Sequence, residues 1–420
     1  MAEVAGKATA LWVLRRLRSA GHQALFAGGC VRDMLLGRSV TDYDVATDAS
    51  PDQVRGLFRR VLLVGEKFGV AMVIHKGRRV EVATFRSDLS YSDGRRPDGV
   101  RFSTPREDAL RRDFTINGMF YDPLAREVID YVGGQADLAA GVIRTIGKPD
   151  ERFAEDYLRL VRAVRFAVRL GFDIDPDTAS AVAKYAPRIA AISGERIFDE
   201  LSKMLSPASA GEALRKLAEL DLAAHVLGGL ACDKELWAAA VDSVSAVAGR
   251  KDLTLTLAAL VAELPVRTVA GMIRRWGASN DLRDAILWLG QHRDDWRELG
   301  SMPLSSFRKL AGHRQFARLR ALWRTRAGLA DGAARAGAIG RLVTRRLREI
   351  PGREPLPEPL VTGADLIAMG LPPGPAMGKA LREAYDAQLD LEVATRREAL
   401  ARAKKGIDHR DTEAQRNERN

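Results

Sequence analysis

The chain has 420 residues, too many for one compact domain, so two to four domains are expected. No apolar run approaches 18 residues and only two cysteines occur, which excludes a transmembrane helix, a disulfide framework and a zinc site. Lysine and arginine total 66 against 55 aspartate and glutamate, and the net charge of +11 favours a polyanionic partner. We expect a cytoplasmic protein.

The first 147 residues show the signals of short β-strands. Runs rich in apolar and β-branched residues are separated by helix-like stretches; they read "HQALFAGG", "YDVAT", "GVAMVIH" and "RRVEVATF". The preceding segment, "MAEVAGKATALWVLRRLRSAG", has an acidic residue at position 3 and is typical of a first helix. These patterns predict an α+β head over residues 1–147, a small mixed sheet with helices.

From about residue 148 onward the pattern becomes helical. Apolar residues recur at helical spacing, with Gly, Pro, Ser or Asp at the breaks. A proline-rich stretch, "PGREPLPEP" (351–359), predicts a linker. The head is therefore followed by an all-α part, which divides into a neck over 148–205, a body over 206–355, a tail over 356–408 and a disordered end over 409–420.

Two glycines and two aspartates stand out in the head. Gly28 and Gly29 lie between the strand "ALFA" and a helix, where backbone N–H groups without a side chain in the way can approach a triphosphate, and Arg32 adds a charge. Asp42 and Asp44, on a predicted strand, project from the same face. Paired carboxylates suit two Mg²⁺ ions, which activate a hydroxyl and neutralise pyrophosphate. The alternative for the glycine pair is a purely structural turn, and the alternative for the two aspartates is a solvated turn without metal.

The order strand, Gly-Gly, helix, Asp-x-Asp resembles the signature of the polymerase-β-type nucleotidyltransferase superfamily. That resemblance implies a third acidic residue on a neighbouring strand. Glu81 in "RRVEVATF" is the candidate, with Val80 and Val82 on the other face of the strand. The alternative interpretation of Glu81 is a surface strand glutamate.

A second motif, "RRDFTINGMFYD" (111–122), opens with two arginines and an aspartate. In a nucleotide site, Arg112 would bind phosphate, while Asp113 and Asn117 would bind ribose hydroxyl groups and favour ribonucleotides. An aspartate that caps a helix between surface arginines is the alternative.

The motif "FAEDYLRLVRAVRF" (153–166) predicts a helix on which charged residues follow one another in three-residue steps: Asp156, Arg159, Arg162 and Arg165. A carboxylate only accepts hydrogen bonds and a guanidinium only donates them. Cytosine and adenine each present an exocyclic amine beside a ring acceptor, whereas guanine and uracil show the reverse order. An Asp156–Arg159 pair would therefore accept C and A and reject G and U without a nucleic-acid template. A surface ion pair is the alternative.

Together these stretches closely resemble the class II tRNA nucleotidyltransferases, the CCA-adding enzymes, and the related bacterial poly(A) polymerases. The resemblance covers about residues 22–205 and includes "DYVGGQADL" and "SGERIFDELSKML". Gly118 stands where the family usually has alanine. The resemblance implies that Asp42 and Asp44 bind metal and that Gly28, Gly29 and Arg32 bind the triphosphate. It also implies that Arg112 binds the nucleotide, that Asp156 and Arg159 select the base, and that Arg162 and Arg165 support nucleotide binding.

The resemblance implies an enzyme that uses CTP and ATP with two Mg²⁺ ions to add CCA to the 3′ end of tRNA. Its partner would be the tRNA 3′ end with the acceptor and TΨC region, and arginine-rich helices of the body would follow the RNA phosphates. The alternatives are addition of CC or of A alone, a bacterial-type poly(A) polymerase, and a non-catalytic RNA-binding protein. The stretch "SDLSYSDGRRPDGVRFS" (87–103) argues against a CC-only enzyme, and "VGEKFGVAM" (64–72) argues against a poly(A) polymerase.

Overall fold

The computed structural model describes residues 2–63, 69–88 and 100–405. These residues form two compact units. The first unit contains residues 1–241, 248–253 and 271–278, and the second contains residues 242–247, 254–270 and 279–420. Within each unit, the structure describes only residues of the ranges given above. None of the helices in the described ranges is both long enough and apolar enough to span a bilayer.

A seven-stranded mixed sheet forms the head of the first unit, in the order β3-β4-β5-β2-β1-β8-β9. Two pairs of short strands lie outside it: β6 with β7, antiparallel, and β10 with β11, parallel. The strands are β1 (Ala24–Ala27), β2 (Val45–Thr47), β3 (Val61–Leu63), β4 (Val70–His75), β5 (Arg78–Thr84), β6 (Arg86–Asp88), β7 (Val100–Phe102), β8 (Phe120–Asp122), β9 (Glu127–Ile129), β10 (Val142–Ile143) and β11 (Asp173–Ile174).

The central strands of this sheet are short and buried. All four residues of β1 and all three of β2 are buried, and Phe85 and Phe120 pack edge to face at 5.8 Å between ring centroids. Continuous apolar runs of this length are expected where both faces of a strand are covered. The sheet is therefore a rigid platform for the turns at its edge.

Helices cover the sheet and continue into the neck. In the first unit they are α1 (Ala2–Ser19), α2 (Gly29–Leu35), α3 (Pro51–Leu57), α4 (Pro105–Leu110), α5 (Gly134–Ala140), α6 (Pro149–Glu155), α7 (Leu158–Leu170), α8 (Pro176–Tyr185), α9 (Gly194–Leu205), α10 (Ala210–Glu219) and α11 (Ala223–Leu227). Helix α7 is the centre of the neck, because α9 and α10 both pack on it and eleven of its thirteen residues are buried.

The remaining helices are α12 (Lys234–Val247), α13 (Leu253–Leu260), α14 (Val266–Arg275), α15 (Asn280–Gln291), α16 (Leu304–Ala311), α17 (Phe316–Arg348), α18 (Gly363–Ala368), α19 (Pro375–Leu389) and a helix over 396–405. The second unit has one core around Trp323 and Phe307 and another around Leu366. Residues 351–359, predicted as a linker, are partly held by hydrogen bonds to α16. Arg308 of that helix donates to the carbonyl oxygens of Glu354 and Pro355 at 3.0 and 2.9 Å.

The predicted fold class is confirmed: a mixed α+β head precedes a helical remainder. The predicted boundaries of neck, body and tail stay predictions. The disordered end predicted at 409–420 lies outside the described residues, as do most of 64–72 and 87–103, the two stretches used to distinguish the alternative activities.

Candidate functional site: an arginine-walled cavity between the sheet edge and helix α7

A cavity of about 610 Å³ opens between the edge of the head sheet and α7, entirely within the first unit. Nine arginines and four carboxylates are among the residues that line it, so its wall is strongly cationic. The site residues proposed from sequence that line it are Gly28, Gly29, Arg32, Asp44, Glu81, Arg112, Asp113, Asn117, Asp156, Arg159, Arg162 and Arg165. Asp42 is exposed and does not belong to the lining.

The sheet register brings two carboxylates next to each other. Strands β2 and β5 are parallel, with Val45 opposite Val82, so Asp44, the residue before β2, lies beside Glu81 of β5. The prediction that Asp42 and Asp44 lie on a strand is wrong, since β2 begins at Val45. The partner strand β1 ends at Ala27, whose N–H donates to the carbonyl of Asp44 at 3.1 Å, and the chain turns away at Gly28, so the ladder stops at Asp44 and does not include Asp42. Tyr43, between the two aspartates, is nevertheless buried.

The carboxylate of Asp44 is held in an environment that disfavours its negative charge. Its pKa is raised to about 6, first by burial, then by Glu81 and to a smaller extent by Asp42, while Arg112 opposes the shift. Glu81 is exposed on β5, and Val80 and Val82 point to the buried side, as predicted. A cation placed between these carboxylates would relieve their mutual repulsion.

The carboxylates of this site suit Mg²⁺ bound partly by the protein and partly by water and substrate phosphates. Among the residues that the structure describes, no three His, Cys, Asp or Glu side chains are grouped to hold a metal ion. A closed protein cage is therefore absent from the described part of the chain. Mg²⁺ does not need one, because it commonly takes one or two carboxylates and completes its shell with water and substrate phosphates. The repulsion of Asp44 by Glu81 and Asp42 favours a cation beside them, and the nearby arginines suit the substrate phosphates that would complete its shell.

The glycine turn lets the backbone and an arginine approach each other closely. Gly28 has φ +70° and ψ −128°, a conformation that side-chain-bearing residues rarely adopt, and its N–H donates to the carbonyl of Met119 at 3.1 Å. A Cβ at this position would lie 2.7 Å from Nη1 of Arg112. Gly28 is therefore required by backbone conformation and by space together.

A chain of hydrogen bonds connects the glycine turn with the neck. Arg32, 2% exposed, donates from Nη1 to Oδ1 of Asn117 at 2.6 Å, and Asn117 donates from Nδ2 to Oδ1 of Asp113 at 3.1 Å. Arg162 of α7 donates from Nε and Nη2 to Oδ2 of Asp113 at 2.8 and 2.6 Å. Burial alone would raise the pKa of Asp113, but Arg162 and Asn117 hold it at about 2. The predicted ribose contacts of Asp113 and Asn117 would have to share these groups with the network.

The two arginines that open the motif at 111–122 are fixed by one buried carboxylate. Asp108, 1% exposed, accepts from Arg111 at 2.6 Å and from Arg112 at 2.9 Å, and the two charges hold its pKa below the usual range despite burial. The Arg112 guanidinium also lies 5.1 Å from the ring centroid of Phe120. Arg112 is therefore oriented at the cavity wall before any ligand binds.

The prediction that Asp156 and Arg159 share one continuous helix is wrong. Helix α6 ends at Glu155, Asp156 has an extended backbone with φ −155° and ψ 105°, and α7 begins at Leu158. The carboxylate of Asp156 causes this break, because its Oδ1 accepts from the N–H of Leu158 at 3.0 Å in place of a helical partner. Both side chains still line the cavity.

Asp156 is held by an arginine that the sequence reasoning did not single out. Arg196 of α9 donates from Nη2 to Oδ2 of Asp156 at 2.7 Å and from Nη1 to Oδ1 at 3.3 Å. Arg159 instead forms an ion pair with Glu155 and donates to the carbonyl of Arg152 at 2.8 Å. Arg196 belongs to the stretch "SGERIFDELSKML", which carried the family resemblance but no assigned role.

Three arginines, one from α2 of the head and two from α7 of the neck, surround one aromatic ring. Arg32, Arg162 and Arg165 lie with their guanidinium carbons 5.2, 5.2 and 4.1 Å from the centroid of Phe166. Glu200, 3% exposed, forms an ion pair with Arg165 and lies 3.6 Å from Arg162. Phe166 follows Arg162 by four residues on one helix, so their contact could have been predicted from the sequence. Glu200 belongs to a different helix, and its contacts with these arginines are visible only in the folded structure.

Comparisons with known proteins point to one family. The sequence matches two family models: Poly A polymerase head domain over residues 24–144, and probable RNA and SrmB-binding site of polymerase A over residues 171–233. It is 40% identical over 276 residues to the CCA-adding enzyme of Geobacillus stearothermophilus, an alignment that covers 66% of this chain and 67% of that protein. It is 44% identical over 224 residues to poly(A) polymerase I of Salmonella typhimurium, covering 51% of this chain and 48% of that one.

Solved structures extend the similarity over nearly the whole chain. The crystal structure of the Bacillus stearothermophilus CCA-adding enzyme in complex with CTP superposes with a TM-score of 0.80 at 32% identity, covering 97% of this chain and 98% of that one. The Thermotoga maritima CCA-adding enzyme complexed with tRNA has a TM-score of 0.64 at 20% identity, with 95% of each chain covered, which shows a shared fold.

Proposed function

Because the chain belongs to the family of class II tRNA nucleotidyltransferases and bacterial poly(A) polymerases, we propose that it adds C, C and A to the 3′ end of tRNA from CTP and ATP. The observation that carries the proposal is the composition of the cavity. Carboxylates suited to metal binding, an arginine wall suited to a triphosphate, and the side chains of Asp156 and Arg159, suited to a base, all line one space of about 610 Å³.

The carboxylates take the catalytic role in this proposal. Asp42 and Asp44 would hold two Mg²⁺ ions, whose chemistry would be to activate the attacking 3′ hydroxyl and to neutralise the leaving pyrophosphate. Glu81 adds negative charge beside Asp44 and serves as the third carboxylate. Tyr43, between the two aspartates, is buried, while Asp44 lines the cavity and Asp42 is exposed beside it.

The cationic wall takes the triphosphate. Arg32 and Arg112 are oriented by Asn117 and Asp108 without a ligand, so they lose little freedom when phosphate binds. Gly28 and Gly29 let the phosphates approach the backbone, and Arg162 and Arg165 support the nucleotide from α7. Asp113 and Asn117 face the ribose.

Asp156 and Arg159 choose the base. A carboxylate offers about four acceptor positions, and Asp156 uses part of this capacity on Arg196 and Leu158, so it can still accept from the exocyclic amine of C or A. Arg159 donates to the ring acceptor. A carbonyl oxygen of U or G would face the carboxylate without a donor, which costs enough free energy to reject it.

Poly(A) polymerase activity is the second candidate, and one observation favours it. The chain is 44% identical over 224 residues to a protein named poly(A) polymerase I. The CCA-adding relative is matched over a larger share of its own length, 67% against 48%, and the structural match to a CCA-adding enzyme covers 98% of that chain. CCA addition therefore remains the first proposal. Contact with the acceptor and TΨC region and a cytoplasmic location stay predictions.

Substitution of the aspartates tests the proposal. Asp42→Ala and Asp44→Ala should each lower incorporation of labelled CTP into tRNA by orders of magnitude, because the displacement loses its metal ions, while tRNA binding is retained. Asp48→Ala is the matched control: Asp48 is exposed, pairs with His22 at 3.2 Å and does not line the cavity. Near-normal turnover of either first variant in Mg²⁺ would refute the catalytic assignment.

A further inference from the structure

A short segment from beyond the predicted neck packs against the first turn of α9. Residues 271–278, which contain the last turn of α14 and the turn after it, belong to the first unit. A Cβ built on Gly194, the first residue of α9, would lie 1.8 Å from the carbonyl oxygen of Arg275 and 3.4 Å from Cα of Trp276. Both are backbone atoms, so no side-chain rotation can make room. Gly194 therefore lets two backbones touch at a point where a side chain would hold them apart.

Two further contacts fix the same turn of α9. The ring of Trp276, 2% exposed, stacks on the ring of Phe198 with 5.3 Å between centroids and 16° between planes. Gly277 has φ +62°, and a Cβ built on it would lie 2.5 Å from Cγ of Glu195. We call residues 275–277 the α9 clamp. Because its contacts join two backbones and two stacked rings, this turn has little freedom to shift.

Helix α9 carries groups that orient the side chains of the cavity. Arg196, in the clamped turn, donates from Nη2 and Nη1 to the two carboxylate oxygens of Asp156 at 2.7 and 3.3 Å. Glu200 lies four residues later on the same face of the helix and forms an ion pair with Arg165. Paired hydrogen bonds of this kind tolerate little change in distance or angle. The position of α9 therefore determines the orientation of the Asp156 carboxylate.

We propose that the α9 clamp is a positioning element for base selection, an inference that rests on the proposed function. Residues 275–277 do not line the cavity, so they act on the nucleotide only through Arg196. While Arg196 is held in place, both oxygens of Asp156 are oriented, and their remaining acceptor positions stay available to the exocyclic amine of C or A. When α9 is displaced, the carboxylate can turn away from the carbonyl oxygen of U or G, and rejection of these bases weakens.

The test measures discrimination between nucleotides instead of activity alone. Gly194→Ala forces the clamp away from α9, Arg196→Gln removes the paired donors, and the two changes are made separately and together. Gly271→Ala is the control in the same segment, because that glycine is exposed and a Cβ built on it meets nothing within 4 Å. Incorporation of CTP and of UTP into a tRNA transcript that lacks its terminal CCA gives kcat/KM for each nucleotide, and the ratio of the two values is the discrimination factor.

Gly194→Ala and Arg196→Gln should each lower the discrimination factor roughly tenfold, the size expected for one hydrogen bond to a charged group. The double variant should discriminate no worse than Arg196→Gln alone, because the clamp acts through Arg196 and the two losses are therefore not additive. Gly271→Ala should keep the wild-type factor. A purely structural role of the clamp would give a different pattern, in which Gly194→Ala is less stable but discriminates as well as the wild type.

Two results would overturn the inference: wild-type discrimination by folded Gly194→Ala, or a double variant whose loss equals the product of the two single losses. Thermal unfolding shows whether Gly194→Ala is folded. If it is not, Phe198→Leu takes its place in the same comparison, because it loosens the contact with Trp276 without a backbone clash. Failure of the proposed function looks different, since the wild-type protein would then add no C to the transcript.

Discussion

At the residue scale, the account depends on a few charged side chains whose partners come from distant parts of the chain. Asp113 is held by Arg162, 49 residues later, and Asp156 by Arg196, 40 residues later. Metal-ligand and hydrogen-bond chemistry, together with the family resemblance, predicted which residues a nucleotide site would use, so Asp44, Arg112 and Asp156 could be proposed from sequence. The orienting partners could not, because they are adjacent only in the folded protein.

Base choice should depend on the charge of Asp156. Asp156→Asn replaces an acceptor-only group by an amide that also donates, so discrimination against UTP and GTP should weaken by about 1–3 kcal/mol per altered hydrogen bond. Single-nucleotide incorporation with each of the four triphosphates measures this. Asp150→Asn is the control, since Asp150 is exposed, pairs with Lys184 and does not line the cavity. Unchanged rejection of U by Asp156→Asn would assign selectivity to other residues.

The Asp113–Arg162 ion pair should make stability depend on pH. The pKa of Asp113 is lowered to about 2 in the folded protein, below its unfolded value, so its contribution is complete above about pH 4 and is lost as pH falls toward 2. A shift of this size corresponds to about 2 kcal/mol. Denaturant unfolding of the wild type and Asp113→Asn between pH 7 and 3 tests it: the difference in unfolding free energy should be constant down to about pH 4 and then shrink. A difference that grows as pH falls would contradict the ion pair.

At the scale of elements, periodicity predicted helices well and their interruptions poorly. The strands and the helices α7 and α9 follow from apolar spacing. The break at Asp156 does not, because "FAEDYLRLVRAVRF" keeps its apolar spacing across the point where the Asp156 side chain captures the N–H of Leu158. Strand β2 also begins only after Asp44, and the ladder ends with the hydrogen bond from Ala27 to the carbonyl of Asp44, since the partner strand turns away at Gly28.

The glycine at position 118 should be required by the packing of this head. A Cβ there would lie 2.6 Å from Cγ2 of Val132 and 3.0 Å from Cδ1 of Ile146. Gly118→Ala should therefore destabilise the protein by about 1–3 kcal/mol through overpacking, although the family usually has alanine at this position. Denaturant unfolding measures the change.

Two variants make this prediction specific. Adding Val132→Ala to Gly118→Ala removes the methyl group nearest to the new Cβ and should recover part of the lost stability. Gly56→Ala is the control, because a Cβ on that helical glycine meets nothing within 4 Å, and it should be neutral or slightly stabilising. Equal destabilisation by the two alanine substitutions would show that crowding at Gly118 is not the cause.

At the scale of the whole molecule, the change from mixed to helical composition predicted the α+β head and the helical remainder. Composition does not predict which residues belong to each of the two units. Residues 248–253 and 271–278 belong to the first unit although they follow parts of the second. Helix α10 packs on α7 and α9 with Leu214 and Leu217 fully buried. A fragment cut at residue 205 would expose the apolar surface that α10 covers, so point variants are better tests of RNA binding than truncations.

The most direct measurement of the central claim gives the wild-type protein three tRNA transcripts, ending at the discriminator base, at C and at CC, with CTP and ATP supplied separately and together. Sequencing of the products should show every 3′ end completed to CCA when both nucleotides are present, two C residues added to the first transcript with CTP alone, and a single A added only to the CC-ended transcript. Long A tails on all three transcripts, or extension of the CC-ended transcript alone, would contradict the account.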